Sequence, residues 1–98
     1  MPRYASRTDA NHASIREAFL ELGCYVLDLA RLGHGAPDLY IALGCVGCLV
    51  EVKSRRGKLT PDQERFWAHW TPWHEVARGL DDVERIAAQM RAYRARMG

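Results

Sequence analysis

Asp38, Glu51 and Lys53 are the residues whose types and spacing are suited to chemistry. Glu51-Val52-Lys53 lies in a stretch that reads as a β-strand, where side chains alternate. Glu51 and Lys53 therefore project from one face, and Val50 and Val52 from the other. Pro37 opens the preceding strand with Asp38 as its first residue, and the two strands read as a hairpin joined through Gly44-Cys45-Val46-Gly47. A turn at Cys45-Val46 pairs Gly44 with Gly47, Tyr40 with Glu51 and Asp38 with Lys53. Asp38 then falls diagonal to Glu51 on the same face, an arrangement that a one-residue slip would undo. Two carboxylates converging at a sheet end, beside a lysine and the Gly33-His34-Gly35 loop, make a hard oxygen site suited to Mg²⁺ or Mn²⁺. Such an ion polarises a phosphate and lowers the pKa of water, while Lys53 orients that water or offsets charge developing in the transition state. The chemistry is phosphodiester hydrolysis. Taken singly, Pro-Asp is a common turn dipeptide and Glu-x-Lys a common exposed strand pair; their joint placement carries the reading.

These residues need elements to hold them. Thr8 or Asp9 is expected to cap a helix that runs to about Leu22, with Ile15, Phe19 and Leu22 on one face and Gly23 as its stop. Met1 to Arg7 are expected to be loose. Cys24 to Ala30 reads as a strand, and the two glycines of the polar stretch Arg31 to Ala36 suit close approach of backbone to a ligand. Strands over Asp38 to Leu43 and Cys48 to Lys53 follow, then a basic loop from Ser54 to Leu59. Thr60 at the N-cap, Pro61 at the first helical position and Gln63 closing a capping box start a second helix, which Pro72 ends. Trp73 to Arg78 reads as a short strand. Leu80, Val83, Ala87, Met90 and Tyr93 space out a last helix, so the order is αβββαβα.

A chain of 98 residues holds a single domain with one core, here taken as residues 1 to 98. With 48% hydrophobic and 27% charged residues its composition is that of a globular protein, against disorder, collagen-like repeats and coiled coil. Its apolar runs are too short to span a membrane and the Met1-Pro2-Arg3-Tyr4 start lacks a signal peptide, so a soluble, cytoplasmic protein is expected. The net charge of +2 is unevenly placed. Lys53, Arg55, Arg56 and Lys58 form one basic segment, and Arg85, Arg91, Arg94 and Arg96 another, the distribution of a protein that meets a polyanion locally or of two solvated faces. Cys45 and Cys48 have the spacing of a zinc knuckle that Cys24 or His34 could complete. No second such pair exists, and the cysteines read as small apolar residues. Trp67, Trp70 and Trp73 suit base stacking, although the helical spacing of Phe66 and Trp70 favours core packing or a dimer surface.

The string Gly35-Ala36-Pro37-Asp38, thirteen residues before Glu51-Val52-Lys53 and followed by Leu59-Thr60-Pro61-Asp62-Gln63, resembles the PD-(D/E)xK nuclease superfamily. Within it the chain is similar to the VRR-NUC and Holliday-junction-resolvase-like branch, often small phage or prophage proteins. The resemblance covers about Asp9 to Gln89. It implies a restriction-endonuclease-like αβββαβ core, a mixed four-stranded sheet flanked by helices, plus a C-terminal helix. It implies a Mg²⁺- or Mn²⁺-dependent DNA endonuclease, with Asp38 and Glu51 as metal-binding acids, Val52 offering its carbonyl to the metal, and Lys53 as the catalytic lysine. Gln63 matches a glutamine placed near the site, although the capping box alone also accounts for it. Members cut DNA, several prefer branched or structured substrates, and many are homodimers, so a homodimer is expected. One departure stands out: Ser14 occupies the place of a helix-one glutamate that reaches the metal. Glu17, one turn along and about 60° around the helix, or Asn11, one turn before, is a substitute from the same helix. The alternative is a weakened or inactive nucleic-acid-binding, recombination-accessory protein of the same fold. Arg55, Arg56 and Lys58 follow the lysine directly, where a bound strand would run, and His34 either touches DNA or is solvated.

Overall fold

No glycine or proline interrupts residues 3 to 22, and helix α1 (Arg3–Glu21) propagates through all of the polar turns at its start. It begins before the expected cap at Thr8 or Asp9, so of the segment expected to be loose, Arg3 to Arg7 are helical. The computed structural model describes residues 3 to 97, with side chains from Asn11 onward. The helix closes in a Schellman motif around Gly23, in which Cys24 N–H donates to the Phe19 carbonyl (3.1 Å) and Gly23 N–H to that of Leu20 (3.0 Å).

The remaining elements are β1 (Tyr25–Asp28), β2 (Leu39–Leu43), β3 (Val46–Val52), α2 (Pro61–His69), β4 (His74–Ala77) and α3 (Leu80–Met97), in the αβββαβα order read from the sequence. They form an α/β fold with a mixed four-stranded sheet, ordered β1-β2-β3-β4. The β1–β2 and β2–β3 pairs are antiparallel, and β4, returning after α2, lies parallel to β3. Alternation gives β2 and β3 one fully apolar face, with Leu39, Ile41 and Leu43 beside Val46, Cys48, Val50 and Val52. Ile15 and Phe19 of α1 and Val83, Ile86, Ala87 and Met90 of α3 complete that core. The opposite face of β3 carries Leu49, Glu51 and Lys53, toward α2. Among the described residues no helix is long and apolar enough to cross a membrane.

The hairpin differs from expectation in register. Its turn is Gly44-Cys45, with Leu43 opposite Val46 and Tyr40 opposite Leu49. Continuing this ladder sets Asp38 directly opposite Glu51, not diagonal to it, and Lys53 loses Asp38 as its partner. Gly44 has φ +62, and glycine is the residue that two-residue type II′ turns take at their first position. This register also keeps Val46 in the core, whereas a Cys45-Val46 turn would have lifted it out. The shift is by two residues, an even number, so every side chain keeps its expected face. β3 therefore begins at Val46, two residues early. β1 ends at Asp28, two residues early, because Asp28 Oδ1 accepts the Ala30 N–H (2.9 Å) and turns the chain.

Candidate active site

Asp38 and Glu51 meet where β2 and β3 leave the apolar core. Asp38 Oδ2 accepts the Val52 N–H at 2.9 Å, and Leu29 N–H, just past β1, donates to the Asp38 carbonyl at 2.7 Å, so the aspartate is held from both sides. Val52 is thus held to the pair through its amide. Glu51 is only 3% exposed. Its Oε2 accepts Gln63 Nε2 at 3.0 Å and lies 3.8 Å from Lys53 Nζ, while Oε1 is buried with no hydrogen-bond partner among the described residues. Burial pushes the Glu51 carboxyl up to about 8, the neighbouring Asp38 carboxyl pushes the same way, and Lys53 opposes them. Two carboxylates so close cannot both be charged cheaply unless a cation stands between them. The orphaned Oε1 and the oxygen-only donors fit a hard divalent ion such as Mg²⁺ or Mn²⁺. No group of three or more His, Cys, Asp or Glu side chains that could hold a metal converges among the described residues, and the acids that meet here are two carboxylates.

Helix α2 reaches the pair through its first turn. Thr60 Oγ1 accepts Gln63 N–H (3.2 Å) and Gln63 Oε1 accepts Thr60 N–H (2.9 Å), a complete capping box. That box commits the oxygen end of the Gln63 amide and leaves its NH₂ for Glu51, so one side chain makes both contacts that the sequence posed as alternatives. The Gly33-His34-Gly35 loop serves the same helix. Gly35, at φ +82, packs so tightly on the Asp62 carbonyl that a Cβ there would lie 2.4 Å from the oxygen. Its glycine admits the start of α2, not a ligand. Gly35→Ala should therefore lower stability by about 2 kcal/mol or more, from left-handed strain plus the clash. Chemical denaturation measures it, and an unchanged midpoint would show that the loop and α2 part freely.

From helix one, Asn11 makes the contact: its Nδ2 donates to the Lys53 carbonyl at 2.9 Å. Ser14 is exposed, and Glu17 is exposed with its carboxylate 3.9 Å from Arg16. Neither has a contact with the carboxylate pair among the described residues, because both lie on the solvent side of a helix that buries His12, Ile15 and Phe19. Helix one thus brings an amide to the strand end in place of an acid.

Beyond Lys53 the basic loop is anchored from outside. Arg78 Nη1 donates to the Ser54 carbonyl (2.9 Å) and to that of Gly57, and Arg55 pairs with Asp81 at 3.0 Å, which holds the Asp81 carboxyl below its usual range. Arg55 is therefore matched by an acid, while Arg56 and Lys58 are exposed. No local pattern marks Arg78, because its role depends on β4 ending beside the loop. His34 is exposed at φ +57. The α2 aromatics stack among themselves and on β4, Phe66 on Trp70 (5.5 Å) and Trp67 on His74 (4.3 Å). Trp73 instead packs against the core with its edge to Tyr93. Cys45 is exposed at the turn, whereas Cys48 and Cys24 are buried, and burial pushes the Cys48 thiol up to about 12. The thiols of the CxxC string thus have different surroundings.

No family model matches the chain, and no curated protein or solved structure shows significant similarity to it.

Proposed function

We propose that the chain is a metal-dependent DNA endonuclease of the PD-(D/E)xK type with a restriction-endonuclease-like core, hydrolysing phosphodiester bonds. The observation that carries this is the Asp38–Glu51 pair, with Glu51 buried, an orphaned carboxylate oxygen and Lys53 beside it, at the open end of the sheet. Asp38, Glu51 and the Val52 carbonyl would hold Mg²⁺ or Mn²⁺, which supplies Lewis-acid polarisation of the phosphate and a lower pKa for water. Asp38 is kept aligned by the Val52 amide, and Glu51 by the Gln63 amide. Lys53 directs its ammonium at the same point, where it orients the attacking water and offsets charge on the phosphate oxygens. Asn11 fixes the strand end that carries this lysine.

Arg56 and Lys58 present phosphate-binding charge next to the pair. Replacing both with glutamine should weaken DNA binding about equally across sequences and lower the salt slope by roughly 2. Anisotropy titrations at several salt concentrations read this, and an unchanged slope would remove the loop from the interface.

Helix one's amide in place of an acid favours a second reading, a nucleic-acid-binding accessory protein with the same fold. One assay separates the two. Four-way junction, flap, single-stranded and duplex DNA are incubated with the protein in Mg²⁺, Mn²⁺ or EDTA. Metal-dependent cleavage that disappears in Lys53→Ala establishes the nuclease and its substrate class; binding without cleavage in any metal establishes the accessory protein. In that event, cleavage gained by Asn11→Glu would identify the missing acid. Sedimentation of the free protein tests the homodimer expected of this type.

A further inference from the structure

A cleft opens near the end of β1. Its volume is about 650 Å³, and it separates α1 from the end of β1, lined by His12, Ala13, Arg16, Asp28, Ala30 and Arg31. That volume is in the range of small-molecule sites, roughly 300–1,000 Å³, enough for a nucleotide. The His12 side chain is only 10% exposed, and its Nε2 has no hydrogen-bond partner among the described residues. Asp28 Oδ2 stands 3.6 Å from it, beyond hydrogen-bond length. A buried polar atom left unpaired is costly, and sites that bind a ligand are where such a cost is offset. Arg16 Nη1 lies 3.7 Å from the same Asp28 oxygen, also short of a hydrogen bond, and Arg31 is exposed at the rim. Asp28 thus faces the Arg16 guanidinium and His12, Glu17 lies 3.9 Å from the other end of the Arg16 guanidinium, and Arg31 adds an exposed guanidinium at the rim.

Both walls are tied to the carboxylate pair. Asn11, adjacent to His12 on α1, donates to the Lys53 carbonyl, and Leu29, adjacent to Asp28, donates to the Asp38 carbonyl. A ligand in the cleft is therefore one residue from the framework of the site on each side.

We propose that this cleft is a phosphate subsite, in which Arg16, Arg31 and the His12 Nε2–H take the phosphate oxygens of a nucleic-acid strand that continues past Asp38 and Glu51. For its ligand the inference rests on the nuclease reading. Guanidinium groups suit phosphate through paired N–H donors, and an imidazole N–H adds a directed donor. The phosphate is either a terminal monoester or an internal diester, and the two are told apart by experiment.

The test compares wild type with Arg16→Gln/Arg31→Gln, which leaves buried His12 in place. Binding of oligonucleotides carrying a 5′-phosphate, a 3′-phosphate or neither is followed by anisotropy in EDTA, where metal-dependent cleavage is absent. In parallel, the His12 ring resonances are followed by NMR during addition of thymidine 5′-monophosphate. Affinity raised about tenfold by a terminal phosphate, and lost in the variant with the His12 shift, identifies a monoester subsite. Affinity indifferent to the terminus but weakened in the variant, with a shallower salt slope, identifies a diester subsite. Equal behaviour of wild type and variant in both measurements, absence of binding included, overturns the subsite. Cleavage by the wild type, scored separately, decides the nuclease reading: cleavage with no effect of the variant removes the subsite alone, and nucleotide binding without cleavage removes the nuclease alone.

Discussion

Asp38→Asn, Glu51→Gln and Lys53→Ala should each slow metal-dependent DNA cleavage by about 10³-fold or more, a loss of roughly 4 kcal/mol of transition-state stabilisation. The three act on one point. Glu51→Gln keeps the shape of the side chain and an oxygen for Gln63 Nε2, which donates to it at 3.0 Å, but removes the charge a divalent ion would need. Asp38→Asn removes charge from the acceptor of the Val52 amide. Lys53→Ala removes the ammonium that lies 3.8 Å from Glu51 and leaves its backbone carbonyl to Asn11. Because these changes lie on the sheet face away from the apolar core, far-UV circular dichroism should match wild type in each case. Single-turnover cleavage with saturating enzyme measures the chemical step, and rates within tenfold of wild type in all three would remove the carboxylate pair from the chemistry. Gln63→Ala should have a smaller effect on rate and an added cost in stability, since the same side chain closes the α2 capping box, worth about 1 kcal/mol.

In EDTA, the melting temperature of the wild type should fall as pH rises from 5 to 8.5, and that of Glu51→Gln should stay nearly flat over the same range. The folded protein holds the Glu51 proton up to about 8, whereas the unfolded chain releases it near 4.5. The folded state binds more protons between those values, so protonation stabilises it fully below about 4.5, and that contribution is lost as pH rises through about 8. Each kcal/mol lost corresponds to roughly 4–8 °C in a domain of this size, and a fall of at least about 5 °C is expected. Glu51→Gln should overtake the wild type at the alkaline end, because it fills the same space without a buried charge beside Asp38. Mg²⁺ should restore the wild type most at high pH and leave Glu51→Gln unchanged, as a ligand that binds the folded state stabilises it by mass action. Calorimetry across the pH series checks this; a wild type whose melting temperature rises toward pH 8.5 would mean that the pair is already compensated by other cations.

Glu51 shows how much of this site was legible in the chain. Its strand, its face and its company with Lys53 follow from two-residue alternation, which is local and survives the register error because that error was an even number of residues. The capping signals of Thr60, Pro61 and Gln63 are equally local, and α2 starts where they place it. The start of α1 departs from expectation for the opposite reason: Thr8 and Asp9 have the form of a cap, but nothing in residues 3 to 7 disfavours a helix, and it propagates through them. The spacing of His12 from Ile15 and Phe19 places it on the buried stripe, with Arg16 one turn along.

By itself, then, the sequence determined the αβββαβα order, the apolar face of the sheet, the caps of its second helix and the common face of Glu51 and Lys53. Each depends on residues a few positions apart, where backbone periodicity and hydrogen bonding within one turn decide. Tertiary structure alone decided that Asp38 stands opposite Glu51, that the free end of Gln63 reaches Glu51 across 12 positions, that Asn11 meets Lys53 across 42, and that Asp81 matches Arg55 across 26. Those contacts join chain segments whose relative placement is set by how the helices pack on the sheet and where a two-residue turn falls. Packing depends on the combined shape of many side chains, and no local pattern encodes it.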